Sequence, residues 1–454
     1  MRIVYLDCSH DCLARDEAIT SQEIAMSKHK EKGMWSTIII TVLATLLVAT
    51  VAKNFTKPER KIQHTVEHQQ GILDPLFQRE MGVLMGPAIL GGNKIMPLQN
   101  GDEIFPVMLE AIRGAKRTIN FETYIYWSGD IGEKFTAALE ERARAGVKVA
   151  VMLDWVGSDK MKKGVVDELK AASAKVEVYH PLRWYNLGRL NRRTHRKLLI
   201  IDGVVGFTGG VGIADTWQGH AQDPDHWRDT HFKVEGPVVA EMQSAFLDNW
   251  IKTSGDVLHG DDYFPSLQAV GDKRMHLFFS SPSGGSASMH LMYLLAIAAA
   301  EHTIDIQASY FVPDKLMIGA LLAARERGVS IRVLVPDKHL DSETVRIASK
   351  REWGGLLEKG VEIHEYDPTM FHCKMLILDG EIVSVGSTNF DMRSFELNDE
   401  ASLNVYDHAF ADQMTKVFEQ DLLKSTAYTY SMWQNRPWKQ KFAELIIMPI
   451  KSQL

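Results

Sequence analysis

HRKLLIID at residues 195–202 and HCKMLILD at residues 372–379 are two copies of one pattern: His, any residue, Lys, four residues and Asp. Each copy has an apolar middle and is followed by Gly, which predicts a buried strand that closes in a tight hairpin. Side chains two positions apart on a strand share a face, so each His should point the same way as its Lys. The pairs are His195 with Lys197 and His372 with Lys374. They predict two halves of one phosphate site.

The rest of the chain repeats around these motifs. RAGVKVAV at residues 144–151 parallels ERGVSIRV at residues 326–333. Strands alternate with helices in both halves, which is typical of the α/β class, and a repeat this long indicates tandem domains. The expected segments are an N-terminal tail (1–34), a transmembrane anchor (35–52), a juxtamembrane stalk (53–81), domain 1 (82–255), domain 2 (270–430) and a C-terminal amphipathic tail (431–454).

The anchor is predicted from WSTIIITVLATLLVATVA at residues 35–52, which has no charged side chain. As a helix it would span ~27 Å at ~1.5 Å per residue, about one hydrocarbon core. A cleaved signal peptide is the alternative, but the apolar run exceeds the usual core of roughly 7–15 residues. Basic residues are nearly balanced on the two sides, so the orientation stays open. Whether Met1 or Met26 is the start also stays open.

Composition disfavours several classes of protein. The 454 residues carry a net charge of −7, which disfavours a nucleic-acid enzyme with a broad basic face. Three cysteines give neither a disulfide framework nor a zinc site. The composition makes no prediction about protein partners.

Two imidazoles and two ammonium groups suit phosphodiester chemistry. One His can attack phosphorus while the other protonates the leaving alkoxide, and the roles then reverse when an alcohol or water enters. The lysines would hold the non-bridging oxygens. This chemistry needs no metal or other cofactor.

The motif aspartates, Asp202 and Asp379, belong to the candidate catalytic set, but their distance suggests another role. Asp202 lies roughly 23 Å beyond His195 along an extended strand at ~3.3 Å per residue. We therefore expect both aspartates to stabilise the hairpin ends rather than transfer protons.

Other polar residues fit supporting roles. Each histidine needs an orienting partner on its second nitrogen, and Asp229 and Glu400 fit, each just before the strand that follows its own motif. Ser387 and Asn389, in a turn of small residues, are candidates for binding phosphate. Alternatively, the two carboxylates lie at the surface and the small residues form an ordinary turn.

Two further stretches suggest lipid contact. A basic and aromatic run before the first motif either receives an anionic headgroup or is a solvated loop. It comprises Arg183, Trp184, Tyr185, Arg189, Arg192, Arg193 and Arg196. The C-terminal segment is either an interfacial amphipathic helix or a helix that packs on the domains.

The doubled motif, INFETYIYW, WRDTHFKVEGP and VGSTNFDMRSFELNDE resemble the phospholipase D superfamily and, within it, bacterial cardiolipin synthases. The resemblance implies two tandem phospholipase D-like domains related by pseudo-two-fold symmetry, each a mixed sheet flanked by helices. It also implies one active site at their interface and a phosphohistidine intermediate. The first half departs from the pattern, because Gly212 stands where Asn is expected.

The same resemblance implies a substrate and a location. A phosphatidyl group would pass between two phosphatidylglycerol molecules, giving cardiolipin and glycerol, and the enzyme would bind this and other anionic phospholipids at the bacterial plasma membrane. A phospholipase D-type hydrolase that uses water is the alternative. A non-catalytic lipid-binding scaffold is disfavoured because a binder does not need two histidines, and the acidic charge and anchor oppose a nuclease.

Overall fold

The computed structural model describes residues 32–53, 62–181, 191–281 and 288–448. Helix α1 (Lys32–Ala52) forms a unit of its own. It is long and apolar enough to cross a membrane, and its most apolar window has no buried residue. It contains the whole of the predicted anchor.

The remaining described residues form an α/β body with two similar halves. The first half contains β1 (Leu90–Gln99), β2 (Thr118–Thr123), β3 (Lys148–Asp154), β4 (Lys175–Tyr179), β5 (Leu198–Ile201), β6 (Val205–Gly209), β7 (Thr230–Glu235), α2 (Pro75–Leu84), α3 (Asn100–Gly114), α4 (Asp130–Arg144), α5 (Val165–Ala171) and α6 (Val239–Ser254).

The second half begins at the next strand. Its strands are β8 (Lys273–Ser280), β9 (Thr303–Ala308), β10 (Phe311–Val312), β11 (Ser330–Pro336), β12 (Glu362–Tyr366), β13 (Lys374–Leu378), β14 (Ile382–Gly386), β15 (Phe390–Asp391), β16 (Glu400–Tyr406) and β17 (Ser425–Ala427). Its helices are α7 (Met289–Ala299), α8 (Lys315–Glu326), α9 (Glu343–Glu358), α10 (Met392–Glu396), α11 (His408–Leu422), α12 (Tyr430–Gln434) and α13 (Trp438–Ile447).

Both halves contribute to one mixed sheet. Its order is β17-β12-β11-β9-β13-β14-β16-β8-β1-β7-β6-β5-β2-β3-β4. Outward from the central β8–β1 pair, the two halves repeat the same order of equivalent strands, and β17 is added at one end. The repeat in the sequence is therefore a pseudo-two-fold repeat in space.

Strand β1 at the centre of the sheet was not predicted from the sequence. It contains two glycines and Pro97, which weaken a strand. It pairs with β8 only through Leu90 and Asn93, whereas its pairing with β7 extends from Lys94 to Gln99. Pro97 therefore lies where one side of the strand is open, and its missing N–H costs no ladder bond there.

Alternating side chains on the strands build a core on each face of the sheet. On β13, Leu376 and Leu378 join the core beneath α7, α8 and α9, whereas Met375 and Ile377 join the core beneath α6 and α11. The second core draws on both halves, for example Phe232 of β7 and Phe410 of α11. A third core lies beneath α3, α4 and α5 of the first half.

The body begins earlier than the sequence indicated. Residues up to 81 were expected in the stalk, yet Ile72, Phe77 and Met81 are buried in the core beneath α7. Asp74 caps α2 by accepting a hydrogen bond from the N–H of Leu76, with Pro75 in the first turn. The stalk assignment overlooked this short helix because too few apolar residues mark its buried face.

Candidate active site

Each motif forms the hairpin that its sequence predicts. Strands β5 and β13 turn back antiparallel into β6 and β14. Asp202 and Asp379 adopt the left-handed conformation, with φ of 53° and 51°, and so do the glycines that follow them. Two successive positive φ angles are what a tight turn of the primed type requires.

The motif aspartates cap neighbouring backbone at the turns. The Asp202 carboxylate accepts hydrogen bonds from the main-chain N–H groups of residues 116, 117 and 118, at 2.6–3.1 Å. Asp379 accepts from residues 301, 302 and 303, at 2.7–2.9 Å. Both carboxylates are thus occupied at the hairpin ends, as the distance argument expected, and their inclusion among the candidate catalytic residues has no support in the geometry.

The motif histidines are held by carboxylates from opposite halves. His195 Nδ1 lies 3.0 and 3.1 Å from the two carboxylate oxygens of Glu400, and His372 Nδ1 lies 2.7 Å from Asp229 Oδ2. The backbone crosses in the same way, since the N–H of His195 donates to Asp399 O and that of His372 to Arg228 O. Asp229 and Glu400, which were expected to orient the histidines, do contact them, but each contacts the histidine of the other half.

The two His/Lys pairs share one site. Lys374 acts electrostatically on His195, Lys197 acts on His372, and the two lysines act on each other. All four side chains are buried, with 3–8% of each residue exposed. The site therefore lies at the junction of the halves and belongs to both.

Electrostatics keep both imidazoles neutral. Burial lowers the pKa of His195 to about 4, and burial together with the Lys374 ammonium lowers that of His372 to about 3. Burial raises the pKa of Asp229 and Glu400, but the facing histidines and lysines lower it below the usual value overall. Each imidazole then donates Nδ1–H to its carboxylate and directs the Nε2 lone pair into the site.

The two lysines bring positive charge to the site. Burial and the facing Lys374 lower the pKa of Lys197 to about 7, and burial lowers that of Lys374. Lys374 Nζ donates to Ser309 Oγ at 2.5 Å and to the main-chain oxygen of His372 at 2.7 Å, whereas Lys197 Nζ donates to the oxygen of His195 at 2.9 Å. An anion between the two ammonium groups would relieve their repulsion, so the site suits a phosphate.

Comparison with known proteins finds a family whose match covers both motifs. The family described as "Cardiolipin synthase, PLD-like domain" matches residues 108–246 and 293–422, and each span contains one motif. The cardiolipin synthase of Geobacillus kaustophilus is 34% identical over 77% of this chain and 70% of its own length. The major cardiolipin synthase of Bacillus subtilis is 35% identical over 76% of this chain and 72% of its own length.

The chain belongs to the cardiolipin synthase family of phospholipase D-like proteins. Solved structures share the family's fold at low identity. A phosphatidylserine synthase from Haemophilus influenzae matches 83% of this chain and 100% of its own, with a TM-score of 0.61 and 14% identity. A polyphosphate kinase from Porphyromonas gingivalis matches 87% of this chain and 57% of its own, with a TM-score of 0.51 and 13% identity. At such identities the likeness concerns the fold alone.

In this member of the cardiolipin synthase family the two halves brace their carboxylates differently. The Ser387 hydroxyl donates to Glu400 Oε2 at 2.5 Å. At the equivalent place in the first half stands Gly210, where an added Cβ would lie 2.2 Å from Asp229 Oδ1. Trp217 supplies the donor instead, because its indole N–H lies 2.9 Å from Asp229 Oδ2. Ser387, expected to bind phosphate, thus holds an orienting carboxylate.

Aromatic rings that the sequence analysis missed pack against the histidines. Trp217 and Trp227 lie 5.2 and 5.5 Å from the His372 ring, and Tyr124 lies 5.1 Å from that of His195. Tyr124 and Ser309 follow the equivalent strands β2 and β9, each beside a motif strand. Their equivalent positions in the two halves are the feature of the sequence that could have identified Tyr124 and Ser309 as site residues.

The structure gives the surroundings of two further residues that were expected to bind phosphate or a headgroup. Asn389 is buried, its N–H donates to Ser394 Oγ at 3.1 Å, and its Oδ1 has no hydrogen-bond partner among the described residues. Arg196 is fully buried and donates to the main-chain oxygens of residues 245 and 280, so it is structural and its assignment to the headgroup run was wrong. Arg183, Trp184, Tyr185 and Arg189 of that run lie outside the described residues.

Proposed function

We propose that this protein is a membrane-anchored phosphatidyltransferase that makes cardiolipin. It would move the phosphatidyl group of one phosphatidylglycerol to a free hydroxyl of a second and release glycerol. The observation that carries the proposal is the crossed bracing of His195 by Glu400 and of His372 by Asp229. Two neutral imidazoles with fixed orientation and two lysines are what a two-step displacement at phosphorus requires.

In the first step, one imidazole Nε2 attacks phosphorus and the bond from phosphorus to the glycerol oxygen breaks. The other histidine gives its proton to that oxygen, so that glycerol leaves and the phosphatidyl group remains on the first histidine. In the second step, the hydroxyl of a second phosphatidylglycerol gives its proton to the second histidine and attacks phosphorus. The nitrogen–phosphorus bond breaks, and cardiolipin and the starting enzyme are regenerated.

His195 is the proposed nucleophile and His372 the proposed acid and base. Lys374 Nζ lies 3.2 Å from His372 Nε2, whereas no hydrogen bond to His195 Nε2 occurs among the residues that the structure describes. The lone pair of His195 is thus the better placed for attack. His372 is neutral in the resting site, and the negative charge of the arriving phosphodiester raises its pKa and favours the protonated form that the first step needs.

The comparisons support the substrate and the location. The relatives are named cardiolipin synthases, so a phospholipid donor is proposed. Phosphatidylglycerol and other anionic lipids fit the two buried lysines, which form no salt bridge among the described residues. We place α1 in the bacterial plasma membrane as a single uncleaved span, with the two phospholipase D-like domains outside the bilayer core. A nucleic acid is not proposed as substrate, because the chain is acidic.

The test separates transfer from hydrolysis. Purified full-length protein is incubated with phosphatidylglycerol in detergent micelles, and the lipids and water-soluble products are resolved. Cardiolipin with glycerol supports the proposal, whereas phosphatidic acid with glycerol would assign the protein as a phospholipase D-type hydrolase. Fully active H195A or H372A variants would refute the mechanism under either outcome.

Labelled lipid identifies the nucleophile. With a p-nitrophenyl ester labelled in the phosphatidyl group, whose leaving group needs no proton in the first step, the H372Q variant should retain acid-labile label on the protein, because the second step lacks its base. The H195Q variant should retain none. The opposite pattern would exchange the two roles and leave the reaction itself unchanged.

A further inference from the structure

Helix α13 presents its apolar side chains outward. Trp438, Phe442, Leu445 and Ile446 are 72%, 58%, 57% and 62% exposed. At about 100° per residue these four positions fall within about 100° of the helix circumference. Large apolar side chains gathered on one exposed face mark a contact surface rather than scattered surface residues.

The opposite face holds α13 against the body. Glu444 is 3% exposed and accepts two hydrogen bonds from Arg436, at 2.8 and 2.9 Å. Ile447 packs on Val345 and Ala348 of α9. The helix buries its only acidic side chain and leaves four large apolar side chains exposed, so the outward face is a fixed feature of the fold.

The basic residues beside this apolar stripe, formed by the four exposed side chains of α13, indicate what kind of surface it binds. Lys439 and Lys441 are exposed and lie at the two edges of the apolar stripe by the same helical geometry. Apolar side chains bordered by lysines fit an anionic bilayer surface, where the stripe enters the interface and the ammonium groups reach lipid phosphates.

The helix also leads to the phosphate site. Ile447 packs in a small cluster with Tyr310. Tyr310 follows Ser309, whose hydroxyl binds Lys374 Nζ of the site. The end of α13 is therefore joined to the site through one small apolar cluster and the chain from Tyr310 to Ser309, so a lipid surface seated on α13 would bear on a segment that contacts Lys374.

We propose that the exposed face of α13 docks on the surface of a bilayer that contains anionic phospholipid and thereby sets the body for lipid entry. This inference rests on the proposed function for its choice of partner. The other possible occupant, a second copy of the chain, is an outcome of the test.

The first experiment measures depth without turnover. A nitroxide is attached at F442C in full-length protein with C8S and C12S, Cys373 being buried, and the protein is reconstituted in phosphatidylglycerol vesicles. The control is L423C. Leu423 is 87% exposed and follows α11, whose core lies on the opposite face of the sheet from α9. The nitroxide at residue 442 should be more accessible to oxygen than to a water-soluble nickel chelate. The nitroxide at residue 423 should be more accessible to the nickel chelate than to oxygen.

The second experiment measures the consequence for turnover. In vesicles, F442E/I446E should lower cardiolipin formation about tenfold, equivalent to about 1.4 kcal/mol, and leave it unchanged in detergent micelles with dispersed substrate. L423E should match the wild type in both.

Three results would overturn the inference: a label at 442 as accessible to nickel as that at 423, unchanged turnover of F442E/I446E in vesicles, or coupling between labels on two chains. The last would assign the face to a second copy. Failure of the proposed function would give a different result. The wild type would make no cardiolipin, while the nitroxide at residue 442 would still lie in the bilayer.

Discussion

Replacing Trp217 with Phe tests whether the bracing of Asp229 matters for catalysis. The change keeps an aromatic ring against His372 but removes the indole N–H that lies 2.9 Å from Asp229 Oδ2. A hydrogen bond to a charged group contributes about 1.5–3 kcal/mol, so its loss should lower kcat by up to about 10- to 150-fold at about 1.4 kcal/mol per tenfold. KM should change little, because Trp217 contacts the carboxylate and not the substrate.

Trp227 provides the matched control. It also packs on His372, 5.5 Å away, and no hydrogen bond joins it to Asp229 in the part of the chain that the structure describes. W227F therefore makes the same chemical change without removing the donor, and its kcat should stay within a few fold of the wild type. Thermal unfolding of both variants checks that neither loses the fold.

A substrate with a better leaving group sharpens the test. A phosphatidyl ester of p-nitrophenol needs no proton from His372 in the first step, so the burst of p-nitrophenol should be almost as fast in W217F as in the wild type. With phosphatidylglycerol the first step should be slow. Equal kcat for W217F and W227F, or equal defects of W217F on both substrates, would refute the idea that Trp217 acts through His372.

Three other changes have defined outcomes. D379N removes a carboxylate that accepts from three main-chain N–H groups, so the free energy of unfolding should fall by about 1–3 kcal/mol in denaturant titrations while kcat per folded molecule is unchanged. Phe77→Ala should cost about 3–5 kcal/mol because Phe77 is in the core, whereas Val83→Ala on the same helix, at an exposed position, should cost under about 0.5 kcal/mol. The motif histidines have lowered pKa values, about 4 and about 3 against 6.5. Their unfolded forms therefore take up protons first, stability falls as the pH drops from 6.5 towards 4, and a variant with glutamine at both positions should show a shallower fall in urea titrations.

The sequence predicted the elements whose signals are local. A strand of apolar residues followed by Asp-Gly defines its own hairpin, so both motif hairpins and their Asp caps could be anticipated at Asp202 and Asp379. The same holds for α1, whose uncharged length is a property of one segment. Strand β1 escaped because its glycines and Pro97 oppose a strand, and only its position at the centre of the sheet makes it one.

The pairing of carboxylates with histidines could not be predicted from the sequence. Asp229 and Glu400 were identified as orienting residues, but a carboxylate near the start of β7 or β16 can meet either histidine, and the choice depends on how the halves join. That join is made by β1 and β8, and neither strand was predicted from the sequence. Trp217 was missed for a related reason, because an indole that donates to a carboxylate follows no spacing rule.

The crossed pairing explains why the two halves function as one site. A half taken alone would keep a His/Lys pair but lose the carboxylate that fixes its ring, since His195 depends on Glu400 and His372 on Asp229. The repeat is also unequal where the chemistry demands it: a nucleophile and a proton donor need different surroundings, and a perfectly symmetric site would give both histidines the same pKa. Three differences break that symmetry. Glu400 stands in one half where Asp229 stands in the other, Trp217 replaces the serine donor, and Lys374 lies against the ring of His372 alone. The duplication thus supplies two matched imidazoles, and these differences assign them separate roles.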